Sequence, residues 1–194
     1  TGLYLMNFLK FILSLVCVLS PALSSASDLA EKLNSSNHVL LMRHALAPGT
    51  GDPAKYTLAD CKTQRNLSDE GRQHAVQVGK WLKKQGITTA DVYSSTWCRC
   101  KDTADLLNFG GYQVEPALAS FFDDMHQAKE RNRQLQAFIA SKLTTKGKKA
   151  LILVTHHVNI YEFMGENIGS GDLVLAKVDA QGKMLSYRRI ARPE

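Results

Sequence analysis

Four cysteines in 194 residues, no internal repeat, no linker and no long apolar run set the first limits on this chain. Cys61, Cys98 and Cys100 supply one Cys-x-Cys and a distant partner with no nearby histidine, which falls short of a zinc signature. The apolar stretch Phe11–Leu19 is too short to span a bilayer as an ordinary helix. Without repeats or linkers, and at a length that fills one core, the chain reads as a single domain. Acidic residues are in deficit, 18 Asp and Glu against 24 Lys and Arg, for a formal charge of +6. That excess is scattered. Its one compact cluster, Lys142 to Lys149, reads as a solvated helix end and loop, where cations suit the helix dipole. A nucleic-acid partner is therefore not expected, and the basic surface would instead steer anionic substrates. A hydrophobic fraction of 44% and a charged fraction of 22% exclude disorder.

What is present begins with a targeting segment. From Met6, Lys10 supplies a thin positive region, Phe11–Leu19 an apolar one, and Ser24-Ser25-Ala26 small residues for cleavage. Residues 1–26 are read as upstream sequence plus a signal peptide cut after Ala26, and residues 27–194 as the mature domain. The expected location is periplasmic or secreted, with no stable membrane span after cleavage. Export permits disulfides. Cys17 leaves with the signal; Cys98 and Cys100 diverge on one helix, so Cys61 can bridge to either.

Strands are expected at His38–Met42, Asp91–Ser94, around Tyr112–Glu115 and at Ala150–Val154, with a terminal pair at Asp172–Val178 and Met184–Ile190. Between them fall helices at Asp28–Leu33, from Ser68 to Gly86, Thr96–Leu107, Gln127–Leu143 and Asn159–Met164, the first two capped by Ser27 and Ser68. Alternating strands and helices imply an α/β three-layer sandwich with a mostly parallel central sheet flanked by helices. Ligands of such sheets collect at the carboxyl ends of strands, where Arg43, His44 and His156 lie. Paired arginines bind phosphate oxygens bidentately, and neutral imidazole is a competent nucleophile near neutral pH. The residue types therefore suit binding a phosphoryl dianion and accepting it covalently. The loop between His44 and the second helix is long enough to be functional, and in it Gln64 and Arg65 are candidates for the pocket rim. His156 and His157 are adjacent, and strand alternation would admit only one of them to the pocket. His157 and Asn159 complete the candidate rim.

Val39-Leu-Leu-Met-Arg-His44, Leu67-Ser68 with Gly71 and Ala75, Ser94-Ser95 with Arg99 and Thr103-Ala104, and Leu153-Val-Thr-His156 follow one another in an order that resembles the histidine phosphatase superfamily. The resemblance runs from about His38 to Val178. It implies a phosphoglycerate mutase-like fold, His44 as the phosphorylated nucleophile, Arg43 and Arg99 as phosphate ligands, and His156 as the second histidine on the phosphoryl group. Repulsion from the two guanidiniums would keep His44 neutral. The implied activity is an exported phosphomonoesterase without metal or cofactor, acting on a phosphorylated small molecule or envelope saccharide. The alternatives are a phosphoryl-ligand-binding protein with weak or no turnover, and a phosphoglycerate mutase. One departure matters: Leu118-Ala119-Ser120 puts Ser120 where the mutase-like branch carries its acidic Glu. The nearest carboxylates, Asp123 and Asp124, are then the candidate general acids. The resemblance also places a small packed residue at Cys100 and a variable one at Cys98, so the expected bridge is Cys61–Cys98.

Overall fold

The computed structural model describes residues 24–191 and residue 193. The expected signal peptide lies, up to residue 23, outside the described residues. Six strands form one sheet: β1 (His38–Arg43), β2 (Ala90–Ser94), β3 (Gln113–Val114), β4 (Ala150–Thr155), β5 (Leu173–Val178) and β6 (Met184–Ile190). Their order is β3-β2-β4-β1-β5-β6. The first four in that order run parallel, while β5 is antiparallel to β1 and β6 to β5. The helices are α1 (Ser24–Asn34), α2 (Asp69–Lys84), α3 (Cys98–Leu106), α4 (Ala128–Thr145) and α5 (His157–Met164).

Strand alternation sorts the core into two layers. Leu40 and Met42 of β1, with Ile152 and Val154 of β4, face α1, α2 and α3 through Leu33, Val78, Leu82, Ala104 and Leu107. Their odd-numbered neighbours Val39, Leu41, Leu151 and Leu153 face α4 and α5 through Leu135, Ile139, Ile160 and Phe163. The three-layer sandwich expected from the sequence is present. Among the described residues no helix is long and apolar enough to cross a membrane.

α2 is built as its sequence requires. Ser68 Oγ accepts from Gly71 N–H at 3.1 Å, Asp69 and Glu70 occupy the first turn, and Lys83 and Lys84 the last. Gly71 also lets the helix touch the loop after β1, because a Cβ there would stand 2.1 Å from the Leu46 carbonyl oxygen.

Three helix starts differ from expectation by two residues or more. α1 starts at Ser24, so Ser27 lies inside it rather than capping it. α3 starts at Cys98 rather than Thr96, because Trp97 holds an extended conformation. α5 starts at His157, immediately after β4. The basic cluster also needs correction at one position. Lys146 is buried, its ammonium donating to the Leu33 and Lys149 carbonyls at 2.7 and 2.9 Å, so it ties α1 to the turn before β4 instead of facing solvent.

Candidate active site

The carboxyl ends of β1 and β4 lie side by side, with Arg43 paired to Thr155 and His44 N–H donating to the Thr155 carbonyl at 3.0 Å. The chain therefore delivers Arg43-His44 and His156 to one edge of the sheet. Above it opens a cavity of about 330 Å³ whose lining includes Arg43, His44, Arg65, Arg99, His156 and His157.

His44 is buried, and its Nδ1 is 2.8 Å from the Ala45 carbonyl oxygen. A carbonyl only accepts, so Nδ1 carries the proton and Nε2 keeps its lone pair. Its pKa is pushed down to about 3. Burial is the leading cause and repulsion by Arg99, Arg43 and Arg65 adds to it, while the Ala45 bond works the other way. Guanidinium repulsion, expected from the sequence, is thus a real but secondary cause. His156 is also held well below the ordinary histidine value, first by burial and then by His44 and Arg99. Its Nε2 meets Ser95 Oγ at 2.8 Å, and its ring stands edge-on to His44 with centroids 5.5 Å apart.

The arginines are anchored on one side each. Arg43 Nη1 donates to the Ile168 carbonyl at 2.8 Å. Arg65 Nε donates to the Gly51 carbonyl at 2.7 Å, and its Nη1 to that of Ala47. Arg99 Nη1 is held by both carboxylate oxygens of Asp52, at 2.9 and 3.1 Å. No motif in the sequence marks Asp52. It is nearly buried, and it also accepts from the Trp97 indole at 3.1 Å and the Arg65 backbone N–H at 2.9 Å. Its signal in the sequence is an acidic residue between Gly51 and Pro53 in a long loop, which reads as a turn.

Asp123 lines the cavity together with Ser120 and Phe122, and accepts from the Tyr56 hydroxyl at 3.0 Å. Asp124 does not line it; its carboxylate accepts from the Gln127 amide at 2.8 Å. Arg65 and His157 line the cavity. Strand alternation does not extend to His157, because the helix begins at that residue, so His156 and His157 both line the cavity. Gln64 and Asn159 are not rim residues. Gln64 is buried, its side-chain oxygen accepting from Cys98 N–H at 3.0 Å and its amide donating to Thr57, so it caps α3. Asn159 is buried in α5 and donates to the Ala119 carbonyl at 2.9 Å, while Thr155 Oγ1 donates to Leu118, and the two bonds hold the segment that leads to Asp123.

Cys61 and Cys98 form a disulfide, and Cys100 is a buried free thiol pushed up to about 12 by burial. The bridge fastens the loop carrying Arg65 to the first residue of α3, one position before Arg99.

Residues 39–121 match the family model described as histidine phosphatase superfamily (branch 1), a span that contains Arg43, His44 and Arg99. No curated protein sequence matches the chain. Among solved structures, the protein histidine phosphatase SixA complexed with tungstate is 20% identical, with a TM-score of 0.54 over 80% of this chain and 97% of that one. A mycobacterial glucosyl-3-phosphoglycerate phosphatase is 14% identical, TM-score 0.56, over 80% and 97% of the two chains. An Entamoeba histolytica phosphoserine phosphatase in complex with 3-phosphoglyceric acid is 12% identical, TM-score 0.57, over 77% and 95%.

Proposed function

Because this chain belongs to the histidine phosphatase superfamily, we propose that it is a phosphomonoesterase that passes the phosphoryl group through His44. One observation carries the reading: a buried imidazole whose Nδ1–H is committed to the Ala45 carbonyl leaves Nε2 unprotonated in a cavity that three guanidiniums also line. In the first step the Nε2 lone pair forms the N–P bond as the ester P–O bond breaks, and Asp123 gives its proton to the leaving oxygen. In the second, Asp123 takes a proton from water, whose oxygen attacks phosphorus and expels neutral His44 with release of phosphate. Arg43, Arg65 and Arg99 hold the non-reacting oxygens, already oriented by their anchors on Ile168, Gly51 and Asp52. No step requires a metal ion or cofactor.

The phosphatases among the solved structures of similar fold support the reaction class. The Cys61–Cys98 bridge supports an exported protein, because disulfides persist in oxidising compartments. The test is turnover of an aryl phosphate, with trapping of a phosphoryl group on histidine by denaturation without acid. His44→Asn keeps an amide that can reach the Ala45 carbonyl but has no nucleophilic nitrogen. It should abolish both signals. Turnover that survives in this variant would assign the nucleophile elsewhere and end the proposal.

A further inference from the structure

Beside the phosphate cavity runs a second cavity of about 310 Å³, and the two share Phe122, His157 and Asn167 in their walls. Its remaining surface is chiefly apolar: Phe121, Met125, Val158 and Tyr161. Phe122, Met125 and Tyr161 are 40%, 56% and 47% exposed, unusual for side chains of their size. The Phe122 ring stands edge-on to His157, with centroids 5.8 Å apart, at the join between the two cavities. A phosphoryl group seated among the arginines would therefore present its organic substituent to this groove. The groove offers no cation; Glu162 is the carboxylate on its lining. A second anionic group would be repelled there, and a polyhydroxylated one would lose hydration without enough partners.

We infer that the groove binds the uncharged apolar substituent, an alkyl chain or aromatic ring, of the phosphoryl ligand. This rests on the phosphatase reading for the chemistry but not for the binding. Burial of a methylene contributes enough for roughly three- to fourfold in affinity. The occupant is thus an apolar phosphate monoester, and the groove, not the arginine pocket, sets preference among esters.

Calorimetric titration with methyl-, butyl-, hexyl- and phenylphosphonate tests this on the whole protein and requires no turnover. Affinity should rise roughly three- to fourfold per methylene from methyl to hexyl, with phenylphosphonate also tighter than methyl and a more negative heat-capacity change along the series. The double variant Tyr161→Ser/Met125→Ser removes two exposed walls of the groove and should flatten the series. An equal affinity across the series, or a slope unchanged in the variant, would overturn the inference. A clear slope in a protein that hydrolyses no phosphate ester would leave the groove assigned and remove the phosphatase reading instead.

Discussion

His44 is neutral in the folded chain because burial holds its imidazole near 3, whereas in the unfolded chain it titrates near the ordinary 6.5. As pH falls, the unfolded state binds the proton first. The stability at stake is therefore intact above about 6.5, declines below it, and levels off near 3. The slope is up to about 1.4 kcal/mol per pH unit for each such histidine, and His156 acts in the same direction. Urea midpoints measured from about pH 8 down to pH 4 should fall accordingly, and His44→Asn should make the fall shallower. An unchanged slope in the variant would mean that other groups carry the acid sensitivity. Asp52 acts at the same scale on Arg99. Removing one partner of a buried ion pair leaves an uncompensated charge and costs about 3–5 kcal/mol. Asp52→Ala should show that loss in denaturant, and the double variant Asp52→Ala/Arg99→Ala should lose clearly less than the sum of the singles. Strict additivity would show that the two side chains do not depend on one another.

α3 depends on a loop far from it in sequence. Its first residue is bridged to Cys61, and the backbone N–H of that residue is capped by Gln64, so the N-terminal turn that carries Arg99 is set from outside the helix. In the chain-entropy model a bridge across 37 residues is worth about 4 kcal/mol. Cys61→Ser/Cys98→Ser should lose that much at most, and phosphate-ester kcat/KM should fall with it. Full activity and stability in the double variant would reduce the bridge to a bystander. This dependence also marks where sequence reading ends. α2 was legible to its cap because Ser68, Asp69, Glu70 and the spacing of Ala75, Val78 and Leu82 are all local signals. β1 and β4 were legible as short apolar runs leading into His44 and His156. The start of α3 was not, because Gln64 lies 34 residues away. Asp52 was not legible for the same reason, since its meaning comes from Arg99, 47 residues later. The strand period does not reach His157, because β4 ends at Thr155 and α5 begins at His157.

At the scale of the whole molecule, both sides of the sheet are filled by aliphatic packing, and most of the buried polar side chains, Lys146 apart, gather near the carboxyl ends of β1, β2 and β4. Three guanidiniums and the Asp52 carboxylate leave two positive charges in the walls of the cavity when Asp123 carries the proton it donates in the proposed reaction. Two neutral, deeply buried histidines add donors and lone pairs but no charge to offset them. A dianion balances the walls. Inorganic phosphate, the product of the proposed reaction, is then also a ligand that only the folded chain can hold. Mass action makes it a stabiliser: at one hundred times its Kd it adds about 2.7 kcal/mol, which for a chain of this size is roughly 5–10 °C in Tm. Sulfate should act likewise and chloride should not. The protein would thus last longest where free phosphate is abundant and hydrolysis is slowed by its own product, and become easier to unfold as phosphate runs out. Thermal melts across a phosphate series, set beside inhibition constants from the same samples, should give one shared Kd; two unrelated constants would separate the stabilising anion from the site of catalysis.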